Sequence, residues 1–240
     1  MIYDAEGIDD SIKNQGHWAE SNDTPTLTLF LENLENRSLR RVKQLGVTGV
    51  SMAGLDTGGL ETWTDQNLKR HIDRASAAGL ELRNVMFNPS SRVRFGEQGR
   101  DEDIEIINQA IRVAGRQGLP VMEYNFYAHR IVEGYRVVPG RGGSGLMEFN
   151  YQRVKDLPPL VGEEEHSLSD MWDNVTYFLK AVIPVAEEAN VRLALHPNDP
   201  PAPVSRGSGQ IMSTLEGWKK FTDIVPSPFT VSYTHLRAHE

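Results

Sequence analysis

From Pro25 onward, short runs rich in β-branched and apolar residues alternate with longer stretches whose apolar positions recur at spacings of three and four. Thr26–Leu31 (TLTLFL) predicts a strand, and Asn33–Leu45 predicts a helix that turns Leu34, Val42 and Leu45 inward. Gly46 ends that helix, as glycine does just past a helix C-terminus. Val47–Met52 is the next strand, Thr64–Ala78 a helix with Leu68, Ile72 and Ala75 on one face, and Leu80–Phe87 the third strand. Asp101–Gln117 carries Ile104, Ile107, Ile111 and Ala114 on one face and stops at Gly118; Leu119–Phe126 (LPVMEYNF) is the fourth strand. Residues 127–166 are rich in Gly, Pro and Arg and too long for an ordinary connection, which marks them as an insertion with a functional role. Ser167 or Ser169 caps a helix running to about Asn190, which Pro184 is expected to kink or split. Val191–His196 is the fifth strand, Thr214–Ile224 a helix, and Phe229 to about Ser232 a sixth strand.

Strictly alternating elements predict parallel strands joined by right-handed crossovers. Both a doubly wound sheet and a barrel satisfy that pattern. Polar residues gather where strands end, at Asn88, Asn125 and His196, and barrel enzymes place their chemistry on that face. The expected fold is therefore α/β, an incomplete (β/α)8 TIM barrel with about five to six βα units. It occupies residues 25–230, after an N-terminal extension over 1–24.

Bulk composition narrows the class. With 39% hydrophobic and 24% charged residues the 240-residue chain has material for a real core. A net charge of −8 argues against nucleic acid as a partner. No cysteine is present, which excludes disulfides and thiolate metal sites within the chain. Neither a signal peptide nor a run of apolar residues long enough to span a bilayer occurs, so no membrane association and a cytoplasmic location are expected.

The richest stretch is Leu193-Ala194-Leu195-His196-Pro197-Asn198-Asp199-Pro200-Pro201, where a strand runs directly into a histidine and a proline-stiffened turn. An imidazole fixed at a strand end is oriented before a metal arrives, and Asp199 could hold its other nitrogen or orient a bound water. The plainer alternative is a polar turn with His196 bonded to backbone. The same stretch, HPNDPP, resembles the HPDDPP signature of the mannonate dehydratase family within the xylose-isomerase-like barrel superfamily. Tyr124-Asn125-Phe126 resembles that family's YNF segment, Gly99–Ile104 its third-helix opening, and Ile211-Met212-Ser213-Thr214 the segment after its signature. The likeness covers roughly Pro25 to Phe229.

That resemblance implies a metal-dependent hydro-lyase that dehydrates D-mannonate to 2-keto-3-deoxy-D-gluconate in glucuronate catabolism, with Mn²⁺ or Fe²⁺ as cofactor. It implies His196 as a metal ligand, with Asn198 and Asp199 around it, and Tyr124 and Asn125 as contacts to sugar hydroxyls or as supports behind the metal ligand. His129 and Arg130, just past the fourth strand, could reach the substrate carboxylate, or form a solvated loop pair. The partner is then a small sugar acid, and a homo-oligomer is compatible with the sequence. Two departures stand out. Asn198 replaces the family's first Asp, and no counterparts of its later metal ligands, a Cys, a second His and an Asp, or of its acid–base groups are found, so no catalytic residue is assigned.

The last residues, 231–240, resemble a translated sequencing-adapter tail and are set aside, although His235 and His239 sit four apart. Gly140–Gly145 fits G-x-G-x-x-G without the strand–helix setting a dinucleotide site needs, and is expected to be a mobile lid. Tyr135, Phe149 and Tyr151 are expected to pin the insertion to the barrel, Glu163–His166 to be solvated, Glu123 to point into the barrel or pair with an Arg, and His17 and His71 to be surface residues. Two alternatives to the lyase remain. One is a metal-dependent sugar isomerase or epimerase on the same scaffold; the other is a catalytically inactive fragment with open strand edges, which tight stoichiometric metal binding would argue against.

Overall fold

The computed structural model describes residues 26–56, 59–129, 133–161 and 164–233. The expected N-terminal extension, His17, Arg130, Glu163, His235 and His239 lie outside the described residues. Six parallel strands form one sheet: β1 (Thr28–Leu31), β2 (Gly49–Met52), β3 (Glu81–Phe87), β4 (Val121–Tyr124), β7 (Arg192–Leu195) and β10 (Thr230–Ser232). Their spatial order follows their order in the chain. A doubly wound sheet reverses direction at a switch point, whereas a sequential order with right-handed crossovers keeps the helices on one face and curls the sheet toward a barrel. The order therefore separates the two folds that periodicity leaves equal. Among the described residues the sheet is not closed, with β1 and β10 at its edges.

The helices follow their sequence signals except in the first, where Leu45, expected to face inward, caps the helix and is 71% exposed while Leu39 takes the buried place. They are α1 (Asn36–Gln44), α2 (Asp65–Ala77), a short α3 (Ser91–Phe95), α4 (Arg100–Gln117), α5 (Leu168–Ala189) and α6 (Leu215–Ile224). Thr64 Oγ1 caps α2 by accepting from Asn67 N at 3.2 Å. Ser167 and Asp170 form a reciprocal capping box at the start of α5. Thr214 Oγ1 accepts from Gly217 N at the start of α6. Gly118 ends α4 at φ 74°, a left-handed conformation that costs a residue with a Cβ. Gly115 serves packing instead: a Cβ there would lie 2.5 Å from Ala189 O at the end of α5.

Pro184 does not split α5, which runs unbroken from Leu168 to Ala189. The proline removes one backbone hydrogen bond, but Val182, Ile183 and Ala186 around it are fully buried. Their burial outweighs the lost bond. His71 also departs from expectation. It is 8% exposed on α2, with Nδ1 2.9 Å from Asn67 O and Nε2 3.4 Å from Asp56 Oδ1. Its position three residues after Leu68 and four before Ala75 places it on the buried face.

The insertion contains regular structure that its composition hid. The strands β5 (Tyr135–Pro139) and β6 (Gly145–Phe149) pair antiparallel as a hairpin. The Gly140–Gly145 segment forms its turn and opens no α-helix, with Gly142 and Gly143 at φ 64° and 82°. Val154 and Ala202 seed a small satellite core with Phe149, Tyr151 and Leu157. Two further short strands, β8 (Val204–Ser205) and β9 (Ser208–Gly209), follow the HPNDPP turn. Among the described residues no helix is long and apolar enough to cross a membrane.

Candidate functional site at the carboxyl ends of the strands

Parallel pairing puts register partners on the same side of the sheet, which sorts the strand residues into rows. Phe87, Tyr124, Leu195 and Ser232 form one row. Its side is the helical one, because Tyr124 stacks on Phe87 at 5.6 Å and meets the Phe178 ring of α5 at 5.5 Å. Met86, Glu123, Ala194 and Val231 form the row below, so they face the opposite side, the interior of the curl. The ladder continues one residue further: His196 N donates to Tyr124 O at 2.8 Å, and Tyr233 N to Leu195 O at 2.9 Å. Asn88, Asn125 and His196 therefore make the next interior row, at the carboxyl mouth, with Tyr233, from the stretch that resembles an adapter tail, beside His196.

Within that row the groups touch. Asn125 is buried, and its Nδ2 donates to Asn88 Oδ1 at 3.1 Å. The His196 ring stacks on Tyr233 with centroids 5.5 Å apart. His196 Nδ1 lies 2.6 Å from Pro197 O. With the proton on Nδ1 and donated to that carbonyl, the ring lone pair would lie on Nε2.

The turn beyond His196 is tied down on both sides. Asn198 is 4% exposed; its Oδ1 accepts from Met212 N at 2.7 Å. A carboxylate would accept that bond equally well, so the Asn in place of the family's Asp keeps the tie while removing a charge. Asp199 Oδ1 accepts from Tyr135 Oη at 2.5 Å, which joins the β5–β6 hairpin to the turn. Gln210 Nε2 donates to Ala202 O at 2.6 Å. His196 is thus presented by a turn held to β9's flank and to the hairpin.

Tyr124 needs correction as a sugar contact. It is fully buried on the helical side, its hydroxyl has no hydrogen-bond partner among the described residues, and burial holds the phenol well above its ordinary pKa. The YNF likeness drew attention to all three residues, but strand alternation separates Asn125 from Tyr124 and Phe126. Tyr124→Phe should leave activity unchanged and raise stability by about 1 kcal/mol, since a buried unpaired hydroxyl costs roughly 1–3 kcal/mol. A urea midpoint lowered by this substitution would show that the hydroxyl has a partner after all.

The same alternation exposes a residue that motif reading passed over. Glu123 is 6% exposed on the interior face and accepts from Asn84 Nδ2 of β3 at 2.7 Å. Burial raises its carboxyl pKa to about 7, against a smaller lowering by the Asn84 bond. Of the two expectations for it, pointing into the barrel is the one observed. His129, by contrast, sits beside the mouth with Nε2 3.8 Å from Glu133 Oε1, and its backbone oxygen accepts from Ser205 Oγ. His166 is not simply solvated: it stacks on Phe95 with centroids 3.8 Å apart.

A divalent cation needs roughly three or more protein ligands. Among the described residues no group of three or more His, Cys, Asp or Glu could hold a metal ion. The described residues therefore do not by themselves complete a metal site.

With this geometry in place, comparison with known proteins identifies the chain's relatives. The family model of D-mannonate dehydratase (UxuA) matches residues 26–164 and 161–234. A mannonate dehydratase of Streptococcus equi subsp. zooepidemicus is 29% identical over 219 residues, covering 80% of this chain and 59% of that protein. The crystal structure of mannonate dehydratase from Streptococcus suis serotype 2 superposes with a TM-score of 0.77 at 26% identity, covering 86% of this chain and 62% of that one. A D-allulose 3-epimerase from Methylomonas sp. shares the fold, with a TM-score of 0.51 at 13% identity over 84% of this chain and 59% of that one. The chain thus spans about three fifths of the length of these relatives. On the family match, which takes in every strand of the sheet, the chain belongs to the D-mannonate dehydratase family.

Proposed function

We propose that the protein is a cytoplasmic hydro-lyase that dehydrates D-mannonate to 2-keto-3-deoxy-D-gluconate in glucuronate catabolism. The observation that carries this reading is the interior row at the mouth, which brings Asn88, Asn125 and His196 together in a chain of this family. Asn125 Oδ1 and Asn88 Nδ2 place an acceptor and a donor side by side, a pairing suited to neighbouring sugar hydroxyls. His196 is proposed as one ligand of a Mn²⁺ or Fe²⁺ ion whose other ligands lie outside the described set, with Asp199 and Asn198 holding its turn. His129 and Arg130 are proposed to approach the substrate carboxylate.

The test is an assay of the intact protein on D-mannonate with added Mn²⁺ or Fe²⁺. Release of a 2-keto acid is expected. Exchange between aldose and ketose, or epimerisation without loss of water, would instead assign the protein to the isomerase and epimerase chemistry of the same scaffold.

A further inference from the structure

Beside the mouth, two nitrogens from distant parts of the chain converge on one carboxylate oxygen. His129 Nε2 lies 3.8 Å and Arg206 Nε 3.6 Å from the same Glu133 Oε1. Both are ion-pair distances, and neither is a hydrogen bond. Both nitrogens are buried atoms without a hydrogen-bond partner among the described residues. The Arg206 side chain is only 16% exposed, whereas the Glu133 side chain is 34% exposed. Buried nitrogens left unbonded are costly, so a carboxylate seated closer would be held more tightly than Glu133 is.

The backbone at Arg206 points the same way. Arg206 and Gly207 form the two-residue turn between β8 and β9, at φ 51° and 88°. Glycine and asparagine are the usual residues at such left-handed positions, and a long side chain is disfavoured there. Residues kept in disfavoured conformations gather at ligand-binding sites. Ser205 Oγ donates to His129 O at 2.8 Å, which fixes this turn against the chain leaving β4. His129 is four residues past Asn125, so its Cα lies within about 14 Å of the interior row. Arg206 follows His196 by ten positions. The cluster therefore borders the mouth.

We propose that Arg206 and His129 form a seat for the carboxylate of the sugar acid, and that Glu133 occupies this seat until the substrate arrives. The inference rests on the lyase reading for the identity of the ligand. A guanidinium keeps its charge at every working pH, and its planar fork matches a carboxylate, so Arg206 distinguishes a sugar acid from a neutral sugar. Glu133, the more exposed partner, swings outward and regains water as the substrate takes its place. One carboxylate replaces another, so the net charge of the seat does not change. A competing group of the same chain lowers apparent affinity, because only molecules with the seat vacant can bind.

That competition gives two variants of the intact protein effects of opposite sign. KM for D-mannonate is read from 2-keto acid release with added Mn²⁺. Calorimetry reads Kd for 2-keto-3-deoxy-D-gluconate, which keeps the carboxylate. Arg206→Gly should raise both constants at least about tenfold, as the loss of hydrogen bonds to a charged group predicts. Its thermal midpoint should hold or rise, because glycine suits the left-handed turn. Glu133→Gln should lower both constants by about threefold, since the competitor is weakened. This second, more exposed position decides the matter if Arg206→Gly fails to fold. With the wild type active, a smaller rise in Arg206→Gly, or a Glu133→Gln that binds no more tightly than wild type, would overturn the seat and leave the lyase reading standing. A wild type that releases no 2-keto acid would overturn the lyase reading, and with it the ligand assigned to the seat.

Discussion

Replacing His196 with alanine is expected to lower 2-keto acid release from D-mannonate by at least about 100-fold, since losing even a group that orients a metal ligand costs about 10–100-fold. The fold should survive the change. The His196 ring is half-buried, its Nδ1 contact is with the neighbouring Pro197, and its backbone N–H bond to Tyr124 O does not depend on the side chain. A thermal melt shifted by only a few degrees, roughly the effect of 1 kcal/mol, would accompany the lost activity. If His196 were instead a backbone-satisfied turn residue, the rate would stay within a few-fold of wild type. Direct measurement of Mn²⁺ binding by calorimetry separates the two, because only a ligand's removal weakens it.

The largest effect on stability is expected at the other side of the same strands. Phe178 on α5 is fully buried, with the rings of Tyr124 and Phe126 at 5.5 and 5.7 Å. Phe178→Ala would empty the space between the sheet and its longest helix. Such truncations cost about 3–5 kcal/mol, a large share of a typical total of about 5–15 kcal/mol. The urea midpoint should fall with the slope of the transition unchanged. A loss below about 1 kcal/mol would mean that α5 can close onto the sheet, and that the tight aromatic contact is not what holds the layers together.

The parts of this architecture that periodicity encodes were legible in the sequence. Apolar residues at spacings of three and four marked α2 and α4, and Thr64, Ser167 and Thr214 act as the caps that their residue types suggest. Strand alternation also holds the answer at β4. Val121, Glu123 and Asn125 fall on one face, and Met122, Tyr124 and Phe126 on the other. Reading Tyr124-Asn125-Phe126 as a unit overrode that alternation and put a core tyrosine at the mouth. His71 shows the same tension, since its helical spacing placed it inward while its residue type suggested the surface.

Other features depend on contacts that no local pattern carries. The choice between barrel and doubly wound sheet lies in which strands become neighbours, a property of the whole chain. The β5–β6 hairpin is short, rich in Gly and Arg, and largely exposed, with Val137 and Met147 68% and 65% accessible, so it lacks the one-sided burial that makes a strand visible. Its anchor, Tyr135 on Asp199, joins residues 64 positions apart. The burial of Glu123 likewise arises from neighbouring strands, through Asn84, 39 positions earlier.

The central claim is that the row of Asn88, Asn125 and His196 is where a sugar acid binds. The most direct measurement is a crystal structure of the intact protein grown with D-mannonate and Mn²⁺. The predicted result places sugar hydroxyls against Asn88 and Asn125 and the cation at coordination distance from His196 Nε2. Sugar acid seated instead in the cavity of about 710 Å³ lined by Glu32, Asp56, His71 and Arg74, with the mouth empty, would contradict it.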